Sequence, residues 1–225
     1  WVPDPEPAEF TRHEVQRQLD LVAAVGCRTK NVRMSLHVPE VAKDRVRRIL
    51  QDIGVDPHGL WLAVHPGATA PSRRYPPEGF AEAGRRLALE FGAQPVFTGT
   101  KEEHDLVESI REAMGVKSFS LTGQLDLGEL AALLSLAPLL VSNNTGPVHM
   151  AAALGTPVVD LYALTNPQHM PWQVPHRVLF HDVPCKYCYK SVCPEGHHNC
   201  LRLVPPERIA EAAGQLLGRA PVSET

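Results

Sequence analysis

From Leu60 onward, short apolar runs alternate with longer amphipathic stretches, and no other feature limits the fold of this 225-residue chain so strongly. Segments 60–65, 94–98, 118–121, 139–142, 158–161 and 178–180 read as strands. Between and after them, 77–91, 102–114, 126–135, 146–154 and 205–217 carry apolar residues at helical spacing. Asp126 with Glu129 makes a capping box at the start of one of these helices. Strands that alternate with helices in this way form βαβ units and a parallel sheet, so the fold class is α/β, a Rossmann-like sheet flanked by helices. In such sheets ligands sit beyond the carboxyl ends of the strands, where the strand-to-helix loops converge. Composition removes several alternatives. A net charge of −3 excludes a general nucleic-acid binder working by bulk electrostatics. The longest apolar stretch, 130–141, contains Ser135 and Pro138 and falls short of the roughly 20 residues of a bilayer span.

The first 59 residues read differently. Segment 1–10, rich in proline and acid, reads as an extended arm. A helix is expected over 11–25, started by a Thr11–Glu14 capping box, presenting Val15, Leu19 and Val22, and stopped at Gly26. A second helix is expected over 39–53 and a short strand over 32–36. Two units follow: 1–59 as arm and connecting helices, 60–225 as the α/β domain. The chain opens on Trp1 without methionine, which reads as a piece of a longer protein.

Three carboxyl-end loops carry candidate chemistry. The first, His65-Pro66-Gly67-Ala68-Thr69 with Ser72-Arg73-Arg74-Tyr75-Pro76, offers a glycine for close backbone approach, the Thr69 hydroxyl and two guanidinium forks suited to phosphate. The second, Thr98-Gly99-Thr100-Lys101-Glu102-Glu103, places carboxylates where they either stabilise a helix start or accept from a ribose. The third, Ser142-Asn143-Asn144-Thr145-Gly146-Pro147-Val148-His149, leads from a polar strand end into a helix of small residues. Free N–H groups and the helix dipole make such a terminus an anion site, with His149 in its first turns.

Cys185, Cys188, Cys193 and Cys200 fall within 16 residues, with His197 and His198 among them. Their spacing leaves a tetrahedral zinc and a metal-free thiol cluster both open, and no metal is assigned.

Segments 65–76, 97–106, 121–162 and 185–209 resemble, in order, glycosyltransferase family 9, the lipopolysaccharide heptosyltransferases. That resemblance implies the C-terminal, donor-binding half of a GT-B enzyme, with residues 11–26 like the segment between that family's two domains. It implies an inverting transfer without metal or cofactor, from a nucleotide-sugar donor such as ADP-heptose to the lipopolysaccharide core. The acceptor site and general base would lie in an N-terminal domain that nothing here matches. Carried onto this sequence, the resemblance places Thr69, Arg73, Glu103 (Glu102 in the alternative register), Asn144, Thr145, Gly146 and His149 at the donor. Arg73 would stabilise the leaving diphosphate, standing where the family usually has lysine, and Tyr75 stands in place of tryptophan. Asn144 stands where the family commonly has aspartate. A cytoplasmic location, at the inner face of the membrane where the acceptor is met, follows from the same resemblance. Competing readings are another GT-B nucleotide-sugar enzyme, a nucleotide-sugar 2-epimerase included, and a non-catalytic nucleotide-binding module.

Overall fold

The structure, a computed structural model, describes residues 12–220. Its described residues form a six-stranded parallel sheet of β1 (Trp61–His65), β2 (Gln94–Phe97), β3 (Phe119–Ser120), β4 (Leu140–Asn143), β5 (Val158–Leu161) and β6 (His176–Leu179). The order across the sheet is β3-β2-β1-β4-β5-β6. The helices are α1 (Glu14–Ala23), α2 (Glu40–Asp52), α3 (Pro77–Phe91), α4 (His104–Met114), α5 (Leu127–Leu136), α6 (Gly146–Leu154), α7 (Asn199–Arg202) and α8 (Pro206–Leu217).

Period-two alternation along the strands sorts the core into two layers. Leu62, Val64, Phe97, Val141, Val159 and Leu161 face α3, α4 and α8. Ala63, Leu140 and Val158 face α5 and α6, and Val96, Phe119 and Leu121 face α2 and α5. At the carboxyl ends this second face turns polar. His65, Ser142 and Asp160 stand in register on β1, β4 and β5, and Thr98 continues the row beyond β2. All four are buried, and His65 Nδ1 and Thr98 Oγ1 share a 3.0 Å hydrogen bond. A polar tier therefore underlies the loops where ligands bind in this architecture.

The capping box expected at α5 is present: Asp126 Oδ1 accepts from Glu129 N at 2.8 Å and Glu129 Oε2 from Asp126 N at 2.9 Å. The expected 102–114 helix is split into a 3-10 turn (Lys101–Glu103) and α4. α1 begins at Glu14 with His13 as its cap, the ring Nδ1 accepting from Val15 N at 3.1 Å. Thr11 and the 1–10 arm lie outside the described residues. Segment 32–36 joins no ladder, which corrects the expected strand. It runs over the helices instead of beside a strand: Met34 packs into the α5–α6 layer, Val38 packs against α2 and α5, and the Val32 carbonyl accepts from Trp172 Nε1 at 2.7 Å. Its alternation is that of a half-buried surface strap.

Candidate functional site

The sheet order reverses between β1 and β4, and that switch point opens a crevice at the strand carboxyl ends. Asn143, the last residue of β4, stitches its two sides together: its Oδ1 accepts from Tyr75 N at 3.0 Å and its Nδ2 donates to the Pro66 carbonyl at 2.7 Å. The β1–α3 loop is thus tied to the β4–α6 loop. Tyr75 is buried scaffold; its hydroxyl donates to the Val204 carbonyl at 2.8 Å and its ring fills the space that a Cβ on Gly79 would need. Arg74 Nε donates to the Ala68 carbonyl at 2.8 Å, closing the loop on itself. Ser72 fastens the same loop to the cysteine segment, donating to the Lys190 carbonyl at 2.9 Å.

Thr69 and Gly146 are exposed on the two loops, and Thr145 caps α6 without spending its side chain on the helix. Pro147 carries no N–H and Val148 N donates to the Thr145 carbonyl at 3.0 Å, so the Gly146 N–H and the helix dipole are what this helix start offers an anion. Arg73 is half-buried, makes no ion pair among the described residues, and is close enough to His149 and His169 for its charge to act on both. His149 is held neutral: burial, then the positive fields of His169, His13 and Arg73, push it down to about 4. Burial and Arg73 likewise push His169 down. The His149 and His169 rings meet edge to face at 6.4 Å. Arg73, His13, His149 and His169 therefore act on one another here, with Glu14 and Arg17 of α1 at the rim exerting opposite fields on His169.

Glu103 closes a capping box, its Oε2 accepting from Thr100 N at 2.8 Å. The same carboxylate lies on Gly67, where a Cβ would overlap it, so it bridges the second loop to the first. Glu102, the register alternative, points outward. Asn144 is buried at 4% exposure and donates from Nδ2 to Asp160 Oδ2 and to the His169 carbonyl, both at 2.9 Å. Thr69, Arg73, Asn144 and Thr145 thus lie on the loops that border the crevice, Glu103 in the 3-10 turn after β2, and Gly146 and His149 in the first turn of α6.

Residues that no motif pointed to complete the site. His13 Nδ1 accepts a backbone N–H, so Nε2 carries the proton and donates to the Met170 carbonyl at 2.7 Å; its ring stacks on Trp172 with centroids 4.4 Å apart. This docks α1 on the 168–172 segment, which Glu14 N reinforces by donating to the Gln168 carbonyl. A cleft of about 470 Å³ lies between α1 and α6, lined largely by Val15, Leu19, Val22 and Met34 and closed by His13, His149 and His169. Asp160 and His169 lack a sequence motif, but a lone acid inside the apolar run Val158–Leu161 was a visible signal for the first.

The four clustered cysteines line one cavity of about 20 Å³ with His197 and His198. All are free thiols, and Cys185 Sγ lies 3.6 Å from His197 Nε2. Among the described residues no three histidine, cysteine or acidic side chains stand in an arrangement able to hold a metal ion.

The family model for glycosyltransferase family 9 (heptosyltransferase) matches residues 5–199. Lipooligosaccharide heptosyltransferase 2 of Campylobacter jejuni is 28% identical over 165 residues, 69% of this chain and 50% of that protein. A crystal structure of a family 9 glycosyl transferase from Veillonella parvula superposes with a TM-score of 0.82 at 27% identity, covering 92% of this chain and 60% of the other. The ADP-heptose heptosyltransferase II of E. coli gives a TM-score of 0.65 at 26% identity, covering 81% and 53%. The chain spans about half the length of the curated relatives it matches.

Proposed function

From the premise that this chain belongs to glycosyltransferase family 9, we propose that it is the donor-binding part of an inverting, heptosyltransferase-like enzyme. The donor is a nucleotide-diphosphate sugar, ADP-heptose the first candidate, and the acceptor a hydroxyl of the lipopolysaccharide core. The observation that carries this reading is the convergence of Arg73, His149 and the open N-terminus of α6 on the switch-point crevice. Each binds anion oxygen, and together they supply what a leaving diphosphate needs.

The reaction breaks the bond between the sugar's anomeric carbon and the diphosphate oxygen while the acceptor oxygen attacks from the opposite face. Negative charge grows on the diphosphate. Arg73 and the Gly146 N–H at the start of α6 stabilise it, and the Thr69 hydroxyl donates to it from the facing loop. Such preorganised stabilisation is commonly the largest single catalytic contribution. Glu103, already fixed by Thr100, offers a carboxylate oxygen to the ribose of the donor. Asn144 lies beneath the sugar and diphosphate and takes no proton. The general base that receives the acceptor's proton belongs to the remainder of the enzyme, and residues 1–59 connect that part to the α/β domain at 60–225. No helix among the described residues is long and apolar enough to cross a membrane. On the proposed reading the lipid-linked acceptor is met at the cytoplasmic side of the inner membrane.

Calorimetry on the chain with ADP, UDP and GDP tests the reading. ADP is expected to bind, with UDP and GDP at least tenfold weaker. Equal binding of all three would move the donor away from ADP-sugars, and binding of none would leave a module without a nucleotide site.

A further inference from the structure

Asp160 is the most deeply buried acid among the described residues: it is fully enclosed, yet only one of its carboxyl oxygens has a partner. Oδ2 accepts from Asn144 Nδ2, and Oδ1 is buried with none. A buried, half-satisfied carboxyl in an otherwise apolar strand is costly, because the unpaired oxygen has given up water without gaining a partner. Val159 and Leu161 flank it and Val158 begins the same strand, so an apolar side chain at 160 would fit the strand's own pattern.

The partner shows what that cost secures. An amide has two N–H donors and one acceptor oxygen. Asn144 directs both donors inward, one to Asp160 and one to the His169 carbonyl. Its Oδ1 makes no hydrogen bond among the described residues and is not one of their buried orphan atoms, so it still reaches solvent. The first hydrogen bond fixes which way the amide faces. The second ties the 165–170 segment to the end of β4, and that segment carries His169 against His149.

We propose that Asp160 is a positioning residue for the donor site: acting through Asn144, it holds the amide oxygen outward as an acceptor and anchors the His169 segment over the start of α6. The ligand it serves is the nucleoside-diphosphate sugar of the proposed function, and the proposal rests on that reading. Asn144 then meets the donor as a neutral acceptor only, suited to a sugar hydroxyl beside a diphosphate whose own charge a carboxylate would repel. The carboxyl stands one strand away, beneath the loop, where it touches the amide and not the ligand.

Three variants of the full chain test it: D160V, D160N and N144A, together with the N144A/D160V pair. ADP affinity is measured by calorimetry and the thermal midpoint alongside it. D160V removes the acceptor but suits a buried strand, so its midpoint is expected to hold or rise while ADP affinity falls at least tenfold. D160N keeps an acceptor oxygen and is expected to bind within about threefold of the parent. In the N144A background, D160V is expected to add nothing, because the path to the ligand is already cut. D160V binding ADP like the parent, or losing affinity additively with N144A, overturns the proposal. If the parent itself binds no nucleotide, the functional reading fails, and the pair is still decided by the imidazole titration of His149. Freed from a well-held His169, His149 is expected to titrate at higher pH in D160V than in the parent; an unchanged titration overturns the positioning role.

Discussion

On the proposed reading, Arg73 and His149 make different contributions to one bound anion. Arg73 brings a permanent charge. His149 brings a neutral ring, held down to about 4 by burial and by positive neighbours. A diphosphate placed among those neighbours reverses the field and raises the histidine's pKa, so binding takes up protons at a pH between the free and bound values. ADP affinity is therefore expected to improve as pH falls from 8 toward 6, and calorimetry in buffers of different ionisation enthalpy should register the uptake. H149A should abolish it. R73A is expected to weaken ADP binding and to slow the complete enzyme about 10²–10³-fold, the scale of one lost donor to a developing charge; steady-state rates check this. That Thr69, Arg73, Thr145, Gly146 and His149 stand at the carboxyl ends of the strands was legible in the sequence, because the strand-to-helix connections of a parallel sheet fall there. The contacts of His13, His169 and Asp160 were not, because each is made across more than 15 residues of chain or from outside the α/β pattern; of the three, Asp160 alone stood out, as a lone acid in an apolar run.

Elements were legible where local chemistry decides them. α3, α6 and β5 fall where periodicity put them, and the α5 capping box is made of the residues that spell it. Asp126→Ala should cost about 1 kcal/mol of stability, the usual loss for an N-cap acid, measurable by urea unfolding. Segment 32–36 defied its pattern because alternation reports a half-buried extended chain and does not say whether the neighbour is a strand or a helix layer. The four-residue α7 is too short to show periodicity at all. One contact between elements is testable. Gly67 on the first loop gives its Cβ space to the Glu103 carboxylate. Gly67→Ala is expected to displace that carboxylate from Thr100, loosening the start of the Lys101–Glu103 turn and weakening ADP binding severalfold, while the fold, read by circular dichroism, is unchanged.

At the scale of the molecule, sheet order and the buried polar tier explain why the site lies where it does. The β1–β4 reversal opens the crevice, and Thr98, His65, Ser142 and Asp160 give its floor polar groups that an all-apolar sheet would lack. That floor has a cost that depends on pH. Burial lifts Asp160 from an ordinary 3.8 to about 8, against the opposing hydrogen bond from Asn144. Between those values the folded chain keeps a proton that the unfolded chain has released, so this group's contribution is complete in acid and is lost as pH rises through about 8. D160N should flatten the stability profile between pH 5 and 8 relative to the parent, as followed by thermal melts; parallel profiles would place the carboxyl's ionisation elsewhere. The account as a whole stands on a diphosphate bound at the switch point, and the most direct measurement is a crystal structure of the chain with ADP. The diphosphate is predicted against Arg73 and the Thr145–Gly146 start of α6, with His149 within hydrogen-bond reach. ADP seated in the α1–α6 cleft or at the cysteine cavity, with the α6 N-terminus empty, would contradict it.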